Sequence, residues 1–419
     1  MVYYQKKTLQ KRIEACEWAH TLLIGYLFIK TSWPHQKFKI TAGYANTDFS
    51  GKVSKIASNY RRVDIVFDDY RKDSLKSYTR MSRGEGRRCK VTPSGKVPQN
   101  WQSFLRNDDN KMELFILLAK SIYTIDKGIV YCTIKDSSIC NKVIRSPINC
   151  SHEEADTRVF VHLKHAIQKD CITTASIQSN DTDIIVIAIS FFHEVLELGL
   201  KELWVSLGVG KTKNWYPIHD LADQLGPLRS KGLLFFHAIS GCDNVSAFRN
   251  KGKKTFFQTW DIFPDVTDTF AKLSSYPFTI DDSDMMMIER FIILLYDRSS
   301  ISESVDSTRK KLFMQKNTQF DSLPPTGAAL KYQILRAAYQ AGIVWGQSLE
   351  QKPVIHSPEQ WGWQKNSEQN WDIYWTHLSA ICDSCAELCK CGCRKKCNSN
   401  CSCQKSCLPC TARCGCPCV

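Results

Sequence analysis

Four short acidic steps constrain this chain more than any other feature. They are Val63-Asp64-Ile65-Val66-Phe67-Asp68-Asp69, Glu153-Glu154-Ala155-Asp156, Asp181-Thr182-Asp183 and Gly241-Cys242-Asp243. The first three lie beside an apolar run, and Leu233-Leu234-Phe235-Phe236 leads into the fourth. Apolar runs of that kind are core elements, so the acids sit where core elements end. If those elements share one core, five or six carboxylates meet. Carboxylates that close repel, so such a cluster is tolerable only when protonated or bridged by hard cations. It suits two Mg²⁺ or Mn²⁺ ions and cleavage of a phosphodiester.

The chain has 419 residues, of which 43% are hydrophobic, and carries a formal net charge of +14. That length allows two or three domains with a sizeable core. The positive balance favours polyanionic partners, nucleic acid (DNA or RNA) first; the plain alternative is a solvated basic surface. Ala19 to Ile29 is the longest N-terminal apolar stretch. It is too short to span a bilayer, which takes about 20 residues, so no membrane partner is expected. It lacks a secretory cleavage site and reads as core. The twenty cysteines then read as thiols and metal ligands and not as disulfides. An intracellular, nuclear location follows.

Along the chain, residues 1–60 are poorly defined, and Gln5 to Ile29 reads as a helix without clean periodicity. Residues 63–67 suit a buried strand. A basic stretch follows from Arg71 to Lys96. Trp101 to Ile122 reads as one helix, Ile129 to Thr133 as a strand, and His152 to Ile167 as a helix. Ala175 to Ser179 and Leu203 to Val205 are strand candidates, while Ile184 to Ile189 fits either a strand or a helix. This alternation predicts an α/β fold, a mostly parallel sheet flanked by helices. The domain spans residues 61–345, the last part being a helical extension. Residues 346–381 form a connecting segment with Trp361, Trp363, Trp371 and Trp375, which docks its aromatics on a neighbour.

Residues 382–419 hold Cys382, Cys385, Cys389, Cys391, Cys393, Cys397, Cys401, Cys403, Cys407, Cys410, Cys414, Cys416 and Cys418. The spacing C-x2-C-x3-C-x-C-x-C occurs twice, from Cys382 and again from Cys407. Hydrophobic residues are nearly absent, so no core can fold this segment. Tetrahedral Zn²⁺–thiolate bonds, worth on the order of 10–16 kcal/mol per site, would fold it instead. A disulfide knot and zinc storage without a fold are the rivals.

The tail resembles the CXC domain of the tesmin/TSO1 type, a zinc-cluster DNA-binding module. The likeness runs from Cys391-Gly392-Cys393 through Cys397 and Cys401-Ser402-Cys403 to Cys407, Cys410 and Cys414-Gly415-Cys416. It implies nine cysteines on three zincs. The family's DNA-reading tyrosine is replaced here by Asn398-Ser399-Asn400.

The acidic steps, in their order along residues 60–260, resemble the flap-endonuclease branch of the PIN-like nucleases. The resemblance implies that Asp68, Glu154 and Asp156 serve a first metal and that Asp181 and Asp183 serve a second, with Asp243 nearby. It assigns Lys72, Lys76 and Arg80 to phosphate charge. Arg249, Lys251, Lys253 and Lys254, in a segment similar to the family's hairpin, would grip duplex backbone. It also makes Ile184 to Ile189 the start of a helix. The family's first strand ends in Asp. The candidate strand here, Leu27-Phe28-Ile29, is followed by Lys30-Thr31-Ser32.

Each assignment has a plainer rival. Asp68 and Asp181 read equally as helix caps. Asp64 reads as an edge polar residue. His152, His162 and His165 read as a surface stripe. Cys242 reads as a small apolar residue, Gly241 as a helix stop, and the tryptophans as packing. At the level of the whole chain, the rivals to a nuclease are a catalytically dead nucleic-acid or chromatin-binding protein and a zinc-dependent scaffold for protein partners.

Overall fold

The computed structural model describes residues 21–24, 41–71, 73–81, 84, 86–208, 213–314, 322–376, 390–398, 401–405, 409–411 and 413–418. Its centre is a seven-stranded sheet. The strands are β1 (Thr21–Ile24), β2 (Arg62–Ile65), β3 (Ile129–Ile134), β4 (Ser137–Cys140), β5 (Thr174–Ser179), β6 (Glu202–Leu207) and β7 (Asn214–Pro217). Their order is β4-β3-β2-β1-β5-β6-β7. The inner five are parallel, and β4 and β7 close the edges antiparallel. The fold is thus α/β with a mostly parallel sheet. The strand Thr21–Ile24 stands where a helix is expected; the candidate strand Leu27 to Ile29 lies outside the described residues.

Helices cover both faces. They include α1 (Ser50–Ala57), α2 (Leu75–Met81), α3 (Trp101–Leu105), α4 (Asp108–Ser121), α5 (Ala155–Asp170), α6 (Asp183–Glu197), α7 (Ile218–Leu225) and α8 (Pro227–Ile239). A helical extension follows: α9 (Lys253–Ile262), α10 (Thr267–Leu273), α11 (Asp282–Tyr296), α12 (Val305–Phe313) and α13 (Gly327–Ala338). Alternation along β3 sorts the layers, since successive strand side chains point to opposite faces. Val130 and Cys132 pack with α1, α3 and α4, whereas Tyr131 packs with Val161 of α5. A strand covered on both faces is buried throughout, as all four residues of β2 are.

Local chemistry explains the differences from expectation. Trp101 to Ile122 divides into α3 and α4 because Asn100 and Asn107 each accept a hydrogen bond from the backbone three residues on, and so start separate helices. The helix expected from His152 begins at Ala155, after an extended Glu154. Ile184 to Ile189 belongs to α6.

The histidine stripe is not on the surface. His152 is 4% exposed and His162 is fully buried. Asp64 is not an edge residue either; it too is fully buried. It holds Arg62 at 2.7 Å and His162 at 2.8 Å, and Arg62 also binds Asp170 at 2.7 Å. Burial alone would raise the Asp64 carboxyl, but Arg62 and His162 hold it at about 2. This network ties β2 to α5.

The tryptophans divide between packing and exposure. Trp363 and Trp371 sit on the hairpin β8 (Trp363–Lys365) and β9 (Trp371–Ile373), buried against Tyr339 and Ile343 just beyond α13. Trp375 is 59% exposed. Among the described residues, no helix is long and apolar enough to cross a membrane.

Candidate functional site

Strand order creates the crevice. From β1 the chain moves to β2, β3 and β4 on one side, then returns through α5 to β5 on the other. Connections therefore diverge on either side of β1, and in open α/β sheets ligands bind beyond the carboxyl ends of strands at such a point. Register places the acids there. Ile65 of β2, Ile24 of β1 and Gln178 of β5 lie side by side. Asp68 and Asp181 each follow three residues past that row.

Backbone hydrogen bonds hold the acids. Asp68 Oδ1 accepts from Ala155 N at 2.8 Å and so caps α5, while its Oδ2 accepts from Tyr70 at 2.9 Å. Asp69 N donates to Glu153 O at 2.7 Å. The end of β2 is thereby stitched to the start of α5, where Glu154 and Asp156 stand. Past β5, Asp181 Oδ1 accepts from Asp183 N at 3.0 Å, turning the chain into α6. Asp243 occupies the tip of a turn closed by Cys242 and Val245, just beyond α8. Gly241 opens this turn with φ +109°, and a Cβ there would stand 2.7 Å from that of Ala247, so only glycine fits.

Lys76 of α2 reaches into this group. Its Nζ lies 2.5 Å from Glu154 Oε2, with the two side chains 21% and 14% exposed. The charges of Glu154, Asp156 and Asp243 raise its pKa, against the opposing effect of burial. Burial lifts the Glu154 carboxyl despite Lys76. Burial and the neighbouring Asp181 push Asp156 well above the usual carboxylate range. Asp181 rises through burial and Asp183. Burial opposes ionisation of Asp183 as well, but His237 Nε2 at 2.9 Å holds it below the usual range. Asp68 also acts on Asp156 and Glu154. Asp68, Glu154, Asp156, Asp181, Asp183 and Asp243 thus share one electrostatic neighbourhood. The donors are hard oxygens, the class that Mg²⁺ and Mn²⁺ prefer.

The basic residues have different placements. Arg80 binds Glu153 at 3.1 Å and Asp108 at 3.0 Å. Lys253 Nζ donates to Gly241 O at 2.7 Å and to Ser240 Oγ at 3.1 Å, closing the end of α8. Lys251 lies over the Tyr296 ring at 4.6 Å. Arg249 and Lys254 are exposed, and Lys72 lies outside the described residues. His237 is the site residue that sequence reasoning missed. In the run Leu233-Leu234-Phe235-Phe236-His237 it carries no signal beyond that of a core helix. Beside Asp243, a cavity of about 540 Å³ is lined by Leu75, Asn244, Trp363, Trp371 and Ile373.

The tail forms a second centre. Sγ–Sγ separations are 3.7 Å for Cys391–Cys397 and Cys391–Cys416, 3.6 Å for Cys397–Cys410, 3.8 Å for Cys403–Cys414 and 3.5 Å for Cys410–Cys416. A disulfide needs about 2 Å. A Zn–S bond of about 2.3 Å sets tetrahedron edges near 3.8 Å. Four groups, built from Cys391, Cys393, Cys397, Cys401, Cys403, Cys410, Cys414, Cys416 and Cys418, have ligand atoms within 4.8 Å of one another. Among the described residues, every group that tight is made of cysteines. Cys382, Cys385, Cys389 and Cys407 lie outside the described residues.

No protein-family model matches the chain, and no curated protein does. Solved structures give distant likenesses. The catalytic core of Rad2 with a DNA substrate is 14% identical, covering 72% of this chain and 90% of that one, with a TM-score of 0.34. A bacteriophage T5 flap endonuclease with DNA and metal ions is 11% identical over 70% and 97%, at 0.31. Human GEN1 with Holliday junction DNA is 11% identical over 68% and 72%, at 0.30.

Proposed function

We propose that the chain is a nucleic-acid phosphodiesterase of the PIN/flap-endonuclease kind, dependent on a divalent cation. The supporting observation is the placement of carboxylates at the ends of β2 and β5, the start of α5 and the turn after α8, with Lys76 Nζ 2.5 Å from Glu154 Oε2. Mg²⁺ or Mn²⁺ held by Asp156, Asp181 and Asp243 would supply Lewis-acid polarisation of a phosphate oxygen. The chain's own groups do the rest. Asp68 fixes the start of α5, and His237 orients Asp183. The ammonium of Lys76 would offset charge on the phosphate. Arg249 and Lys254 are exposed and would contact backbone phosphates without reading sequence. The cysteine tail would hold Zn²⁺ as a folded module, of the CXC kind, and a nuclear location belongs to the same reading.

With Mn²⁺, the purified chain should nick flapped or branched DNA. Asp181→Asn combined with Asp183→Asn should lower the rate at least about a hundredfold, since Asp181 would carry the ion and Asp183 adds negative charge beside it. Equal cleavage by the double variant ends the proposal. A second reading, a binder on a decayed nuclease, is favoured by Gly25-Tyr26-Leu27-Phe28-Ile29, the acid-free sequence that follows β1. It expects salt-dependent DNA binding with no cleavage.

A further inference from the structure

We propose that Gln333 and Gln340, two buried glutamines of the helical extension, are positioning residues that hold the turn carrying Asp243 in the crevice. This rests on the reading of the crevice as a phosphodiesterase site and adds how one of its carboxylates is kept in place. The turn is short. Gly241 opens it with φ +109°, and Cys242 N to Val245 O at 3.0 Å and Val245 N to Cys242 O at 3.3 Å close it around Asp243 and Asn244. So short a turn buries no core of its own, and side chains from other elements set its orientation.

The helical extension provides those side chains. Gln340 Oε1 accepts from Asn244 Nδ2 at 3.0 Å, across 96 residues of sequence. Gln333 Nε2 donates to Ser246 O, across 87 residues. Gln340 is 1% exposed and Gln333 7%. Glutamine is mostly a surface residue, and a buried amide is costly unless it is hydrogen-bonded. At both positions a bond to the Asp243 turn meets that need. Arg336 Nη2 lies 3.5 Å from Gln333 Oε1, which leaves Nε2 to face Ser246. Gln340 belongs to a π-helical stretch, Tyr339–Trp345, that follows α13. Such stretches are rare and frequently mark functional sites. From the other side, Lys253 Nζ donates to Gly241 O at 2.7 Å. The turn is thus held at Gly241, Asn244 and Ser246, on both flanks of Asp243.

Amide hydrogen exchange of the full chain reads this brace directly. Gln340→Met and Gln333→Met nearly keep the side-chain volume and remove the amide. Each should speed exchange at Cys242 and Val245 at least about fivefold, as expected for the loss of one buried hydrogen bond, with β5 and β6 unchanged. With Mn²⁺ and flapped DNA, Gln340→Met should lower kcat at least about tenfold at unchanged KM, because a misplacement of about 1 Å carries a cost of that order. In an Asp243→Asn background Gln340→Met should lower kcat no further, since it acts through Asp243. A merely structural loss would add in both backgrounds. Asn244→Ala breaks the same bond from the turn's side and repeats the comparison if Gln340→Met is unstable. Unchanged exchange, unchanged kcat, or equal losses in both backgrounds overturns the inference and leaves the phosphodiesterase reading standing. If the wild type cuts nothing, that reading falls, and exchange at the turn decides whether the glutamines hold it.

Discussion

Asp64 and Asp181 look alike in sequence, each an acid beside β-branched residues, yet they do opposite work. Asp64 is sealed with Arg62, His162 and Asp170, whereas Asp181 stands at the crevice and turns the chain into α6. Removing one partner from a buried ion pair strands the other charge. Asp64→Asn should therefore lower stability by about 3–5 kcal/mol, measured by denaturant unfolding. The pH dependence has a definite sign. The folded Asp64 carboxyl lies at about 2, below the ordinary value. Its contribution is whole above the unfolded value and is lost as pH falls from about 4 towards 2. Burial lowers the pKa of His162, so the unfolded chain gains a proton first, and stability falls as pH drops below about 6.5. Melting temperatures across both windows should show a flatter lower window in Asp64→Asn.

Asp68 shows how one side chain organises an element. It caps α5 from the preceding strand, so the helix start and its acids are placed by β2 and not by local sequence. Both rival readings of Asp68, cap and site residue, describe the same carboxylate. The Trp hairpin has a comparable role beside Asp243, where Trp363 and Trp371 wall the cavity. Trp371 is 8% exposed and Trp375 is 59% exposed. Trp371→Ala should cost about 3 kcal/mol or more through the void it leaves, while Trp375→Ala should stay within about 0.5 kcal/mol. Thermal unfolding of the two variants compares them directly, and equal losses would contradict the packing described. Side-chain capping, and not apolar periodicity, sets the boundary between α3 and α4. Asn107 is a cap only because its side chain meets Asn110 N, and nothing in apolar periodicity marks that.

At the scale of the molecule, two kinds of centre follow from two kinds of folding force. The sheet domain buries a core and leaves carboxylates at its edge. The tail has no core, and its thiols lie at the edge lengths of zinc tetrahedra. Cys391 belongs to three of the four close groups, whereas Cys418 belongs to one. Cys391→Ser should therefore release more zinc per chain than Cys418→Ser, measured by atomic emission after gel filtration. Sequence alone determined the α/β class, the acids at strand and helix ends, and the thiol-rich tail. These are local properties, set by residue type, period and spacing. Tertiary structure decided that β1 lies between β2 and β5, that Lys76 meets Glu154, that His237 holds Asp183, and that Asp64 is walled off. Such pairings join residues far apart along the chain, and they arise from the packing of whole elements, which leaves no periodic mark at either partner.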